Sequence, residues 1–342
     1  MRRAIAVGIV TMLALAGCSS ADNGGTADDG GGDGLTITAT EYEFDLPDEV
    51  EGGIVEVTLD NQGEQTHEAQ FIRVADDYDI AGFVAEFKPV VEGGPIPETF
   101  ETAVGTSEAA AGESTTATMT LPEGTYVLFC SLEDDEDEDQ VGEDDPMGDA
   151  EGEDAEGDDA DPAAVEEAEE GDGAEDGDEA EGEEEDGVMH MEQGMLQLVT
   201  VTGGADVTVD DMPDNDGVVT ASDYAFDVPE LAAGEHTLTF TNASDTQIHH
   251  LVLFGFAEGV DEAGAKEAFD QMMAAGEGPP PEGVTPPDEA GYAPVTGPGM
   301  ATTFDIELES GRTYAAVCFI QDRAGGPPHA MAHNMVEFFT VS

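Results

Sequence analysis

The chain has 342 residues, of which 81 are Asp or Glu and only 7 are Lys or Arg, for a formal net charge of -74. A surface of that sign repels phosphate backbones, so nucleic acid is excluded as a partner.

Taken from its start, the chain opens as an export signal over residues 1–17. Arg2 and Arg3 form a basic n-region, and the apolar run Ala4 to Ala16 is too short to span a bilayer. It ends in "LAGC", which resembles the lipobox of bacterial lipoproteins. That resemblance implies lipidation of Cys18 and a chain anchored by lipid to the extracytoplasmic face of the cell membrane; the alternative is an ordinary signal peptide. Residues 18–34 lack any apolar side chain larger than Ala beyond Cys18 and suit a flexible tether.

Residues 35–202 read as a first domain. Val55, Val57 and Leu59 alternate at period two, which predicts a half-buried strand. Ile80, Phe83, Val84, Phe87 and Val90 then fall at helical spacing, with Gly93 just beyond. Residues 133–187 are an acidic insertion. Glu133 to Asp186 holds 32 of the 81 acids and no basic residue. With almost no large apolar side chain it cannot offset its ordering entropy, so disorder is expected. Three roles stay open for it: solubilising filler, a dock for a cationic partner, or weak divalent-cation binding. Outside it, 49 acids still face 7 basic residues. Such acidity self-repels unless salt screens it, and a secreted protein of a salt-loving microbe is expected.

Residues 206–342 repeat the first domain. "TATEYEFDLP" from Thr38 matches "TASDYAFDVP" from Thr220, and "LPEGTYVLFC" matches "LESGRTYAAVC". Leu238 and Phe240 share a strand face, and "VDEAGAKEAFDQMMAAGEG" is an Ala-rich helix in which Met272 and Met273 read as packing residues. The fold class expected is mainly β: two sandwiches of short strands, each with a short inserted helix.

Each copy offers the same residue types in the same order. The first has His67, Cys130, His190 and Met195; the second has His249, Cys318, His329 and Met335. Two imidazoles, a thiolate and a weak thioether make the blue-copper ligand set, which points to copper, one per domain. The repeat register selects His249 over its neighbour; His250 aligns with Glu68 and is expected at the surface. His236 has no counterpart and reads as surface. A single Cys130–Cys318 disulfide is the alternative for the two thiols.

With these motifs the chain resembles the cupredoxin family of plastocyanin and azurin. "NQGEQTHEAQF", "YVLFC", "YAAVC" and "HMEQGM" carry the likeness. It implies Greek-key β-sandwiches with copper at one end, one-electron transfer, a solvent-near His as the electron's exit, and a redox partner at the cell surface. Two departures stand out. Cys to His spans ten intervening residues in the second copy but 59 in the first. Closing the longer loop costs roughly 1.6 kcal/mol, small beside roughly 10 kcal/mol for tight metal binding. In "HAMAHNM", His333 stands where Gly is expected and Met335 comes one place late, so Met331 and His333 compete with it as axial ligand. The alternatives to an electron carrier are copper storage without a redox task and a metal-free surface protein. No His-x-His pair occurs in the chain, and on that ground it is expected not to be an enzyme of the multicopper oxidase or nitrite reductase kind.

Overall fold

The structure is a computed structural model that describes residues 34–134, 187–275, 280–281 and 283–342. The signal segment, the tether with Cys18 and nearly all of the acidic insertion lie outside the described residues. No helix among the described residues is long and apolar enough to cross a membrane.

The first half runs β1 (Leu35–Ala39), β2 (Phe44–Asp45), β3 (Glu49–Glu51), β4 (Gly53–Asn61), β5 (Gln70–Val74), α1 (Phe83–Val91), β6 (Thr102–Gly105), β7 (Ser114–Leu121), β8 (Gly124–Phe129) and β9 (Leu196–Thr202). The second runs β10 (Gly217–Ser222), β11 (Ala225–Asp227), β12 (Gly234–Asn242), β13 (His249–Gly255), α2 (Glu262–Ala275), β14 (Asp288–Thr296), β15 (Ala301–Leu308), β16 (Thr313–Val317), α3 (His329–Ala332) and β17 (Val336–Thr340). Pairings recur between halves. β1 runs parallel to β4 as β10 does to β12, and β5 lies between β6 and β8 as β13 lies between β14 and β16. A contact of Thr302 with Met119 joins β15 to β7, merging one sheet of each half into a sheet of eight strands.

Side-chain parity decides what each strand buries. On β4, Val55, Val57 and Leu59 face inward and Glu56 faces water, as the alternation predicts. β8 is different: Tyr126, Val127, Leu128 and Phe129 are all buried. Its inner face, Tyr126 and Leu128, joins the core against the eight-stranded sheet. Its outer face, Val127 and Phe129, is covered by α1, with the Phe83 and Phe87 rings each 4.9 Å from Phe129. β16 repeats this, with Tyr314 and Ala316 inward and Ala315 and Val317 under Phe269 of α2. Met273 packs on that same cluster.

The halves also meet through the outer faces. Ile248, Val295 and Ile320 of the second half enter the core under α1. The loop after β16 is clamped onto the first half by Gln321, which donates to the carbonyls of Val90 and Gly94, and by Arg323, which donates to those of Phe100 and Glu101 and to Thr246 within its own half. Truncating Arg323 strands these carbonyls at a half-buried seam. Arg323→Ala is expected to cost about 2 kcal/mol, measured as a lowered denaturant midpoint in chemical unfolding.

Candidate metal centres

Parity along β5 and β8 also aims the site. His67, Ala69 and Phe71 share the inner face, as do Tyr126, Leu128 and Cys130. β13 and β16 do the same with His249, Leu251 and Leu253, and with Tyr314, Ala316 and Cys318. The first His and the Cys of each half therefore converge at one end of its core.

The loop before the first His is held by an Asn. Asn61 donates to the carbonyls of Gln65 and Ala109 and accepts from the Gly63 N–H. Asn242 donates to Gln247 and Thr296 and accepts from Ser244. One buried amide replaces the missing strand partners in both copies, although the second loop is a residue longer.

The second His is fixed from the Cys side. His190 N–H donates to Leu132 O and Met191 N–H to Cys130 O; His329 N–H donates to Ile320 O and Ala330 N–H to Cys318 O. Isolated bridges Glu133–Met189 and Gln321–Pro328 close the two loops at the same place. The 59-residue loop therefore leaves the site's frame as the ten-residue loop does.

The Met position is reached by two routes. In the first half His190–Gln193 form a 3-10 turn, and Gly194 follows at φ 116°. In the second, His329–Ala332 form α3, and Asn334 takes the left-handed position at φ 55°. An α turn holds one residue more than a 3-10 turn. That absorbs the extra residue, and Met195 and Met335 N–H groups both donate to the carbonyl of the second His, at 3.0 and 3.1 Å. The left-handed residue is Asn334, not His333. Met195 and Met335 are fully buried in the same cores as Cys130 and Cys318, whereas Met331 is 59% exposed. His333 points elsewhere, its Nε2 3.0 Å from Asp322 and its ring stacked on Tyr224. Met331→Leu is accordingly expected to leave the spectrum of copper-loaded protein unchanged, while Met335→Leu shifts it.

The donors form two groups, His67–Cys130–His190 and His249–Cys318–His329, all buried. In the first, Nδ1 of His67 and His190 are 3.0 Å apart, and Cys130 Sγ is 3.9 and 3.4 Å from them. The centre of that triangle is about 2.0 Å from each corner, close to the 2.0–2.3 Å that imidazole and thiolate take from a first-row divalent ion. In the second, Cys318 Sγ is 3.7 and 3.6 Å from Nδ1 of His249 and His329. The two Cys are free thiols, one in each group, so they form no disulfide.

The surroundings hold both thiols and the second group's imidazoles in uncharged form. Burial pushes both thiols up to about 12, with Glu68 adding to the effect at Cys130. Burial, then repulsion from the other imidazoles, takes His249 down to about 3. Such a site is paired for a cation that takes neutral imidazole and draws off the thiol proton. The two groups fit copper, one for each half.

No family model and no curated protein matches the chain. Solved structures do. A dithionite-reduced auracyanin from Roseiflexus castenholzii is 24% identical over 37% of this chain and 95% of its own, at a TM-score of 0.24. Auracyanin A, a "blue" copper protein of Chloroflexus aurantiacus, is 22% identical over 37% of this chain and all of its own, at 0.22. A copper nitrite reductase of Nitrosomonas europaea is 13% identical over 90% and 93%, at 0.20. The neighbours are cupredoxin-like proteins. They also correct one expectation. The lack of a His-x-His pair predicts a chain that is not an enzyme, but neighbours that cover 90% of this chain include a multicopper oxidase and copper nitrite reductases, which are enzymes. A motif for one kind of extra copper site does not delimit what a two-core chain of this kind does.

Two further corrections concern polar residues. His250, expected at the surface, is half-buried. It lies on the outer face of β13, where the Tyr292 ring covers it at 5.9 Å and its Nε2 accepts from the Phe319 N–H. Burial lowers it to about 4. His236 is also part-covered, with Nε2 2.8 Å from the Ala232 carbonyl. At His250 distant residues, Tyr292 and Phe319, cover a position whose local pattern alone reads as exposed, whereas the partner of His236 is four residues upstream.

Sequence reading also missed two carboxylates. Asp134 Oδ1 lies 3.5 Å from His190 Nε2 and accepts from the Tyr42 hydroxyl at 2.8 Å. Asp322 Oδ1 lies 3.3 Å from His329 Nε2 and accepts from Tyr224 at 2.8 Å. The signal was present: each Asp stands four residues after its Cys, and each Tyr belongs to the repeated "YEFD"/"YAFD" segment.

Proposed function

We propose that the chain carries two blue-copper centres on tandem Greek-key domains, 35–202 and 206–342, and that it transfers single electrons. The ligands would be His67, Cys130, His190 and Met195 in one centre, and His249, Cys318, His329 and Met335 in the other. The observation that carries the reading is the recurrence of a buried His–Cys–His group beside a buried Met in both halves. A thiolate and two imidazoles bind both oxidation states of copper, and a rigid frame lets the electron move with little rearrangement. Bound copper would supply the redox couple; the chain's own residues supply donors, geometry and exclusion of water.

The same reading takes Cys18 as a lipid anchor, residues 18–34 as a tether, 133–187 as a disordered solubilising insertion and the redox partner as a protein at the membrane or cell surface in a salt-rich medium. Copper titration of the full chain in high salt tests the core of it. Two equivalents binding with an intense Cu(II)–thiolate band, bleached reversibly by reductant, are expected. Binding without that band would leave a storage protein, and no stoichiometric binding would leave a metal-free surface protein.

A further inference from the structure

The ligand imidazole that a solvent-near electron exit requires is not at the surface. His190 and His329 are both fully buried. What covers their outer edges is the same device twice. The Tyr42 ring stands edge-on to His190 at 5.5 Å and holds Asp134 against Nε2; the Tyr224 ring stands edge-on to His329 at 5.2 Å and holds Asp322 against Nε2. The Asp side chains are 40% and 30% exposed, so they form the boundary between imidazole and water. A second arm steadies each carboxylate. Gln193 donates to both oxygens of Asp134, and His333 lies against Oδ2 of Asp322.

In both groups Nδ1 turns toward the Cys, and Nε2, the nitrogen left to carry a hydrogen, faces the carboxylate at 3.5 Å in the first and 3.3 Å in the second. A carboxylate receiving that N–H fixes the tautomer and makes the imidazole a stronger donor. A fixed negative charge close to the ring also favours the more positive oxidation state. Both effects have one sign: they stabilise Cu(II) over Cu(I) and lower the reduction potential.

We propose that Asp134 and Asp322, each held by its Tyr, are positioning residues that set the potential of the two centres and form their electron-exit surface. The proposal rests on the copper reading given above. It adds that the exit is a Tyr–Asp cap, not a bare His edge.

The test uses the full chain with one centre at a time. Asp134→Asn is made beside Cys318→Ala, and Asp322→Asn beside Cys130→Ala, and the midpoint potential of each copper-loaded protein is measured. A rise of at least 59 mV is expected, a tenfold shift in the Cu(I)/Cu(II) ratio for one electron. Asp→Glu is expected to restore most of the parental value, and Tyr42→Phe or Tyr224→Phe to give a smaller rise. An unchanged potential with the thiolate band intact overturns the proposal and leaves the copper reading standing. If Asp→Asn abolishes the band, the Tyr→Phe variants decide: a rise supports the cap and no change overturns it. A parent chain without any thiolate band overturns both readings.

Discussion

Cys130→Ser and Cys318→Ser are each expected to remove half of the copper–thiolate absorption, and the double variant all of it. The two thiols sit in separate groups, each with its own pair of imidazoles, so neither substitutes for the other. A serine hydroxyl is a hard, weakly acidic donor and does not replace a soft thiolate for copper. Losing an outer partner of a metal site costs roughly 10–100-fold in affinity; losing the thiolate itself is expected to cost more than that at the affected site. Competition titration against a calibrated chelator measures it. Each single variant should retain one tight site, and retention of both sites in either variant would refute the assignment of one thiol to each centre. A circular dichroism spectrum checks that the strands persist, as expected where one sulfur becomes one oxygen.

Copper uptake is expected to release one proton per centre near pH 8, and the apparent affinity to rise tenfold per pH unit there. Both thiols are pushed up to about 12, so the metal-free protein holds them protonated, and binding must expel that proton. In the second centre His249, lowered to about 3, and His329, lowered by burial, are already neutral and add no further proton. The linkage also bounds the stability of the metal-free form. The Cys thiols are raised above their ordinary 9.0, so their contribution is full below pH 9 and is lost as the pH rises through about 12. His249 is depressed below its ordinary 6.5, so its contribution is full above pH 6.5 and is lost as the pH falls through about 3. Calorimetry in buffers of different ionisation heat counts the released protons. A release near zero at pH 8 would mean that the thiols are already ionised.

Much of the site is legible in the chain because the same strand-and-donor pattern is written twice. One Cys, one His or one Met proves little; the same order in two copies, each after the same strand pattern, marks the eight residues that the two halves bring to their core ends. Local patterns were also enough for the alternation of β4 and for the helix at Phe83, since both depend on neighbours a few residues apart. The positions that misled are those decided by distant segments. His250 reads as exposed by strand alternation, yet Tyr292 and Phe319 close over it. Met331 and His333 compete with Met335 on spacing, and only the exchange of a 3-10 turn for an α turn, ending at Asn334, shows how Met335 arrives in place.

By itself the sequence determined the repeat, the mainly β character, the acidity and the order of the donor residues, because each of these is a property of composition or of short-range periodicity. Tertiary structure alone decided which faces are covered, how the loop after Cys318 is clamped by Gln321 and Arg323 onto the other half, and that a carboxylate from beyond each Cys closes over the outer edge of the second His. Those outcomes depend on side-chain hydrogen bonds of Tyr42, Tyr224, Gln321 and Arg323 to partners that lie 92 to 231 residues away. No window of neighbouring residues contains them.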